Sequence, residues 1–142
     1  EVKIIIFQEN NFEVGEILEN FSEKNNKSGA IFSFLGKVRE IRDNEQIKNI
    51  QIEFYEKMAK IQTDKIIKQT IKKFQIDDFL IIHRFGRLLP GENIIFILSA
   101  SKHRKESFFF VQNLIEWFKF KITFWKKEYY SNHSSWVKSE DI

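Results

Sequence analysis

Cysteine is absent from this sequence of 142 residues, and proline and glycine are scarce, with one and five copies. Without a thiol, the chain can form no disulfide, no thiolate metal site and no cysteine nucleophile. Any sulfur or redox chemistry must therefore be supplied by a partner or a ligand. The few glycines form neither a phosphate-binding loop nor a Gly-x-Ser-x-Gly nucleophile elbow, which excludes two common classes of catalytic site.

Long hydrophobic runs are also missing. No segment approaches the roughly 18 to 20 apolar residues of a membrane span, and the first residues do not resemble a signal peptide. We therefore expect a cytoplasmic protein that does not bind membranes. The length predicts a single domain over residues 1–142, because a chain of this size buries about two thirds of its unfolded surface in one core.

The net charge is only +3, but it is unevenly distributed. The segment 99–128 contains seven Lys and Arg residues and three Glu residues, so it carries +4 and the rest of the chain sums to −1. Such a concentration of one sign predicts an anion site, and we expect these cations to converge on one pocket. A nucleic-acid-binding protein is more often basic over a whole face. A noncatalytic module that binds anions or nucleic acid through the same residues remains an alternative.

Hydrophobic periodicity predicts both strands and helices. The predicted strands are 2–7, 29–39, 48–55, 79–85, 93–101 and 122–129, and the predicted helices are 16–23, 57–74 and 104–120. Residues 40–46 are predicted to be a polar loop. Pro90 followed by Gly91 suits the centre of a type II turn. Because strands and helices do not alternate strictly, the pattern favours an α+β fold over a doubly wound parallel sheet.

Each of the two longer predicted helices has one apolar stripe. The predicted buried residues are Ala59, Thr63, Ile67, Ile71 and Phe74 in the first helix, and Phe108, Val111, Ile115 and Phe118 in the second. The strand 93–101 is apolar on both faces, which predicts a central strand.

The segment Ser101-Lys102-His103-Arg104 lies where a predicted central strand ends and a helix begins. Unpaired backbone N–H groups at a helix start, together with basic side chains, suit a phosphate. The alternative is that Ser101 only caps the helix while the basic residues are solvated.

Four lysines, Lys119, Lys121, Lys126 and Lys127, bracket the junction between the last helix and the last strand. Neighbouring cations and partial burial beside aromatic residues would lower a lysine pKa, which is how lysines become nucleophiles or general bases. The alternative is a solvated lysine-rich face. Glu128 either positions one of these lysines or forms an ordinary surface pair. The three histidines lack metal-ligand spacing, so we expect no metal site.

Five segments taken together, with a closing Trp136-Val137, resemble the MoaE family, the large catalytic subunits of molybdopterin synthase. They are GAIFSFLGKVR (29–39), IEFY (52–55) with Met58, IHRFGRLLPGE (82–92), SASKHR (99–104) with Phe108, and LIEWFKFKITFWKKE (114–128). The resemblance runs in order over nearly the whole chain, from residue 2 to residue 137.

The resemblance implies a sulfurtransferase. Such an enzyme takes sulfur from the thiocarboxylated C-terminus of a small ubiquitin-like subunit of the MoaD type. It passes the sulfur to cyclic pyranopterin monophosphate and forms the dithiolene of molybdopterin, without a cofactor of its own. The resemblance also implies a homodimer core that becomes a heterotetramer with two small subunits. The implied fold is an α/β-hammerhead type with an additional antiparallel β subdomain.

The resemblance further implies roles for individual residues. Lys119 and Lys126 match the family's catalytic lysines. The residues that match substrate-binding positions are Arg39, His103, Arg104 and, as a wall of the pterin pocket, Phe34.

Two positions differ from the family pattern. Thr123 stands where the family often has proline, which implies a looser turn before the last strand. Lys138 is the only cation near the position of an arginine that in the family reaches the neighbouring subunit's site.

Overall fold

The computed structural model describes residues 3–120 and 124–137. These residues form β1 (Ile4–Gln8), α1 (Val14–Lys24), β2 (Ala30–Lys37), β3 (Ile41–Arg42), β4 (Glu45–Gln46), β5 (Asn49–Phe54), α2 (Glu56–Lys73), β6 (Asp78–Arg84), β7 (Gly86–Leu88), β8 (Asn93–Ser101), α3 (Arg104–Phe120), β9 (Phe124–Tyr129) and β10 (Ser134–Trp136). The α+β class expected from the sequence is confirmed. None of the described helices is both long enough and apolar enough to cross a membrane.

The main sheet has the strand order β1-β6-β8-β2, in which β1 and β6 are parallel and the other neighbours are antiparallel. Because side chains alternate between faces, β6 and β8 bury one set against α2 and α3 and the other set against α1. Ile81 and Ile97 belong to the first set, and Phe96 and Leu98 to the second. Burial on both faces explains why β8 is almost continuously apolar, as expected of a central strand.

A second, antiparallel sheet has the order β10-β9-β5-β7. The inward faces of β5 and β9 meet in the register Phe54 with Phe124 and Ile52 with Lys126. This sheet contacts the main sheet through aromatic rings, since Phe124 lies against His83 of β6 with 4.1 Å between ring centroids. The sheet therefore presents one face to the core and carries Lys126 on that face.

The turn between β7 and β8 has the predicted form. Gly91 has a φ of 86°, which suits the third residue of a type II turn, and the Glu92 amide donates to the Leu89 carbonyl at 3.1 Å. A side chain at position 91 would be strained at this φ.

Residues 40–46, expected to be a loop, instead contain the hairpin β3–β4, so this prediction was wrong. The strands form two residue pairs, Ile41 with Gln46 and Arg42 with Glu45. Asp43 and Asn44 form the turn with φ values of 51° and 67°. These residue types tolerate the left-handed region that a two-residue hairpin turn requires, which explains why a polar segment can pair here.

The stripe predicted for α2 is largely confirmed, since Ala59, Thr63 and Ile67 are buried; Ile71 and Phe74 are half-buried. The stripe predicted for α3 was wrong at one position. Phe108 is 45% exposed and lies edge-on to Phe32, with 5.3 Å between ring centroids. In its place Phe110 is buried. The run of consecutive phenylalanines gives no periodicity of its own, which is why the sequence pattern misplaced the stripe by half a turn.

Candidate functional site

Lys126 projects from the inward face of β9, opposite Ile52, whose side chain is 1% exposed. The lysine is half-buried between Phe124 and Glu128, which share its face of the strand. Burial disfavours the charged ammonium and lowers the pKa of Lys126 from 10.5 to about 8, although the nearby Glu128 opposes the shift. At pH 7 about a tenth of the molecules therefore carry a neutral Lys126 amine, far more than for a lysine of ordinary pKa.

Lys127 points the other way. Its ammonium lies over the rings of Tyr129, at 5.5 Å, and Trp136, at 5.2 Å. Adjacent lysines on one strand thus occupy different environments because side chains alternate across a sheet. Lys126 therefore does not belong to a solvated lysine-rich face, and Lys127, which is also half-buried, packs against aromatic rings.

Glu128 is a buried carboxylate rather than a surface pair, because only 6% of the residue is exposed. Its Oε1 accepts hydrogen bonds from Arg42 Nε at 2.6 Å and from the Tyr130 hydroxyl at 2.7 Å. Burial, followed by the hydrogen bond to Glu128, raises the pKa of Tyr130 to about 12, so the phenol remains a donor at physiological pH.

Sequence reasoning missed Arg42 and Tyr130. Tyr130 lies two residues after Glu128, so strand parity could have placed both on one face. Arg42 had no sequence signal, since its position depends on a hairpin that was taken for a loop.

His83 lies between the elements that carry the two candidate lysines. Its ring stacks on Phe124 with an interplanar angle of 8° and contacts Phe118 at 5.8 Å between centroids. Burial lowers the pKa of His83 from 6.5 to about 3, and the positive charge of Lys126 lowers it further. Nδ1 lies 2.8 Å from the Arg84 carbonyl. The neutral imidazole is therefore packed as part of the aromatic contact between the two sheets.

Lys119 lies in the last turn of α3, directly after Phe118, and is half-buried. Because the His83 ring contacts both Phe118 and Phe124, the end of α3 and the start of β9 lie on either side of it. The structure therefore brings Lys119 and Lys126 to the same end of the main sheet. Lys121 and Thr123 lie outside the described residues, as does Lys138.

Arg39 lies at this end as well. Val38 donates its amide to the Glu92 carbonyl at 2.9 Å, so Arg39 follows β2 beside the start of β8. Phe34 lies further back on β2, opposite Ile97, and packs against the core beneath α2 and α3.

His103 and Arg104 lie at the opposite end. Ser101, at the end of β8, pairs with Ala30, at the start of β2. β2 has eight residues, and at ~3.3 Å per residue its two ends are roughly 25 Å apart. Within one chain, Arg104 therefore does not meet Arg39 or the two lysines, so a single chain does not bring all these cations to one pocket.

A chain of hydrogen bonds among buried serine hydroxyls stabilises the turn before Arg104. Ser99 donates to Ser107 at 3.1 Å, Ser107 and Ser101 are 2.6 Å apart, and Ser101 donates to the His103 carbonyl at 2.6 Å. Ser101 thus braces the first turn of α3, while His103 and Arg104 remain exposed. The hydroxyl and the exposed basic side chains fit the alternative interpretation of this segment, and phosphate binding here stays a prediction.

Arg104 and Lys105 line a depression together with the Phe32 and Phe108 rings. Two cations above aromatic walls offer contacts to an anionic group attached to a flat ring.

Comparison with known proteins identifies the group to which this chain is related. The sequence profile of the MoaE protein family matches residues 7–121. The chain belongs to the MoaE family.

Its relatives agree with this assignment. The molybdopterin synthase catalytic subunit of Cereibacter sphaeroides is 31% identical over 137 residues, which are 96% of this chain and 92% of that protein. The crystal structure of molybdopterin synthase from Staphylococcus aureus superposes with a TM-score of 0.82 at 26% identity, covering 93% of this chain and 95% of the other. A complex of subunits 1 and 2 of molybdopterin-converting factor from Helicobacter pylori shares the fold at a TM-score of 0.78 and 24% identity, covering 94% and 90%.

Proposed function

We propose that this chain is the catalytic subunit of a molybdopterin synthase. In this proposal it transfers sulfur from the thiocarboxylated C-terminus of a small ubiquitin-like subunit to cyclic pyranopterin monophosphate, and the product is molybdopterin. A role as an enzyme of molybdenum cofactor biosynthesis follows from membership of the MoaE family. The observation that carries the sulfur-transfer step is the amine of Lys126, with a pKa of about 8, on an inward face of the fold.

Lys126 and Lys119 have different roles in this proposal. The neutral amine of Lys126 acts as a general base or as a nucleophile toward the thiocarboxylate and the substrate. Lys119, on the neighbouring element, holds the anion that develops in the reaction. Arg39 lies beside them and supplies a guanidinium for the substrate phosphate.

The small subunit is the source of sulfur. This chain contains no cysteine, so it has no thiol on which to carry sulfur. The Helicobacter pylori neighbour was solved as a complex of two subunits, which supports a small partner here. We place the reaction in the cytoplasm and assign it no cofactor or metal.

A second copy of this chain completes the site. In their own chain, Arg104 and His103 are separated from Arg39 by the length of β2, roughly 25 Å. A homodimer with its two sites at the interface lets one chain supply Arg39, Lys119 and Lys126 while the other supplies His103 and Arg104. With one small subunit on each side the assembly is a heterotetramer.

The test of sulfur transfer is a reconstituted reaction of the purified chain with thiocarboxylated small subunit and cyclic pyranopterin monophosphate. Wild type should form molybdopterin, and Lys119→Ala or Lys126→Ala should reduce the rate at least ~100-fold, the range of a lost acid–base group. The matched control is Lys127→Gln, which removes the adjacent charge on the outer face and should stay within about threefold of wild type.

Product formation by Lys126→Ala at the wild-type rate would exclude the proposed mechanism. Equal losses in Lys126→Ala and Lys127→Gln would show that the inward position of Lys126 has no special role.

The alternative function, a noncatalytic module for anions or nucleic acid, gains no support from these relatives. The three proteins compared above are named for molybdopterin synthesis.

A further inference from the structure

Lys126 and Glu128 lie on one face of β9, two residues apart, so their side chains start ~7 Å from each other. A buried ammonium and a buried carboxylate at this spacing would attract each other strongly. Yet the structure forms no ion pair between Lys126 and Glu128. The carboxylate is held elsewhere, by Arg42 and by Tyr130.

We propose that Arg42 is a positioning residue which, together with Tyr130, holds the Glu128 carboxylate away from Lys126 and so leaves the Lys126 amine available for reaction. The importance of this arrangement for catalysis rests on the proposed function. The arrangement itself does not, because it concerns the proton affinity of one amine.

Arg42 reaches Glu128 because the β3–β4 hairpin is fixed against the end of β9. The Lys48 amide, just after the hairpin, donates to the Tyr129 carbonyl at 2.7 Å. Glu45 of the hairpin lies 3.3 Å from His133, and the His133 ring stacks on Tyr130 at 4.7 Å between centroids. The hairpin, β9 and the turn after β9 thus form one cluster around the Glu128 carboxylate.

The other groups near Lys126 do not hold the Glu128 carboxylate as Arg42 does, and most of them carry no charge. Facing residues from β5 are Ile50, Ile52 and Phe54, which carry no charge. His83 of β6 is neutral above about pH 3 and Tyr130 is neutral below about pH 12. Other described charged groups at this end of the fold include Arg39, Glu45, Lys48, Lys119, Lys127 and the Arg84–Glu92 ion pair. Glu128 is the one whose negative charge raises the pKa of Lys126.

Loss of Arg42 therefore has a defined direction. A Glu128 carboxylate without its arginine rotates toward Lys126, the half-buried cation on its own face of β9. An opposite charge in contact stabilises the ammonium form, so the pKa of Lys126 rises and less neutral amine is present at a given pH.

The experiment is competitive acetylation with trace acetic anhydride across pH 6 to 10. The extent of labelling of each lysine is read by peptide mass spectrometry, with Lys126 resolved from Lys127 by fragmentation. Only the neutral amine reacts, so the labelling midpoint reports the proton affinity of Lys126 without any enzyme assay. The internal reference is Lys68, whose side chain is 73% exposed.

Arg42→Gln should move the midpoint of Lys126 upward by about one pH unit, which makes labelling near pH 7.5 roughly tenfold slower than in wild type. Tyr130→Phe, which removes only a hydroxyl, should produce a smaller shift in the same direction. The matched control is Arg87→Gln, which removes a cation from an exposed position on β7 of the same sheet and should leave the midpoint unchanged.

The decisive comparison is a double-mutant cycle. Glu128→Gln should lower the midpoint, and adding Arg42→Gln to it should cause no further shift, since Arg42 acts through the carboxylate. An equal shift from Arg42→Gln in both backgrounds would overturn the proposal in favour of a direct effect. Unchanged midpoints in Arg42→Gln and Tyr130→Phe, or a Lys126 that stays unlabelled at every pH, would also overturn it.

The two proposals can fail separately. A shifted midpoint in a protein that forms no molybdopterin would leave the role of Arg42 intact and refute the proposed function. An unshifted midpoint in a protein that does form molybdopterin would refute the role of Arg42 and leave the proposed function intact.

Discussion

Lys126 combines reactivity with a cost to stability. A half-buried amine whose pKa falls to about 8 is less stable as an ammonium in the fold than in water. The feature that makes Lys126 useful for chemistry thus makes the folded state less stable at neutral pH.

Lys126→Met tests this trade-off. Methionine keeps the length of the side chain and removes the charge, so we expect the free energy of unfolding to rise by roughly 1 kcal/mol after allowing for solvent screening of a half-buried group. Urea unfolding at pH 7 measures the change, and the sulfur-transfer assay should show at least a ~100-fold loss. A destabilised Lys126→Met protein would contradict this account of the lysine's environment.

His83 predicts a pH dependence of stability. Its pKa is about 3 in the fold and 6.5 when unfolded, so between these values the unfolded chain binds more protons. The stability contributed by the neutral ring is complete above pH 6.5 and is lost as the pH falls toward 3, at up to about 1.4 kcal/mol per pH unit.

His83→Leu should remove this component. The difference in unfolding free energy between wild type and variant, measured by denaturant titration, should shrink or change sign as the pH falls from 7 to 4. A difference that stays constant over this range would show that the His83 ring takes up a proton without unfolding. Carboxylates that titrate in the same range cancel in the comparison.

The turn between β8 and α3 depends on the close approach of Gly29. A Cβ at this position would overlap the Lys102 carbonyl, and the Gly29 amide donates to the Ser101 carbonyl at 3.0 Å. β2 and the turn are therefore in direct backbone contact, with His103 and Arg104 immediately beyond it.

Gly29→Ala should displace this turn. We expect a loss of about 1 to 3 kcal/mol in stability from overpacking, and a rise in KM for the pyranopterin larger than any fall in kcat, because the proposed function gives Arg104 a role in substrate binding only. The control is Gly15→Ala, whose Cβ meets no atom within 4 Å. Unchanged kinetics in Gly29→Ala would show that the turn does not position Arg104.

Several elements could be predicted from the sequence because local signals decided them. The strand Asn93–Ser101 and the helix Arg104–Phe120 have the bounds expected from the pattern, since the strand is a short, almost continuous apolar run and the helix has apolar residues at helical spacing after its first turn. The short strands β7 and β10 were not predicted. With three residues each, they are too short to show a period, and they form through pairing with β5 and β9.

The candidate site shows the same limit. The resemblance singled out Lys119, Lys126, Arg39, His103 and Arg104, and strand parity explains why Lys126 faces inward while Lys127 lies over the rings of Tyr129 and Trp136. The division of these residues between two ends of the main sheet could not be predicted, because it depends on the antiparallel pairing of β2 with β8. The pairing of two segments that are distant in the sequence cannot be read from the hydrophobic pattern of either segment.

The whole assembly follows from this division. One chain has its lysines at one end and Arg104 at the other, so a complete site requires two chains in the proposed dimer. Each chain then contributes to two sites.

Subunit mixing tests this arrangement. Lys126→Ala and Arg104→Ala chains, each inactive alone, should regain activity when mixed one to one and allowed to exchange. In a mixed dimer one site carries both changes and the other carries neither, so random pairing should restore roughly a quarter of the wild-type activity. Mixtures that stay inactive after exchange, verified by native mass spectrometry, would place Arg104 and Lys126 in sites of the same chain.

The hairpin β3–β4, with only two residue pairs, should open at a lower temperature than the core unfolds. A hairpin this short is only marginally stable, so it detaches at a lower free energy than global unfolding requires. Each detachment takes Arg42 off Glu128 while the rest of the fold persists. Under the proposed role of Arg42, we expect a warmed sample to contain molecules that differ in the acidity of Lys126 while their main sheet and helices persist, so the proposed activity should decline before global melting.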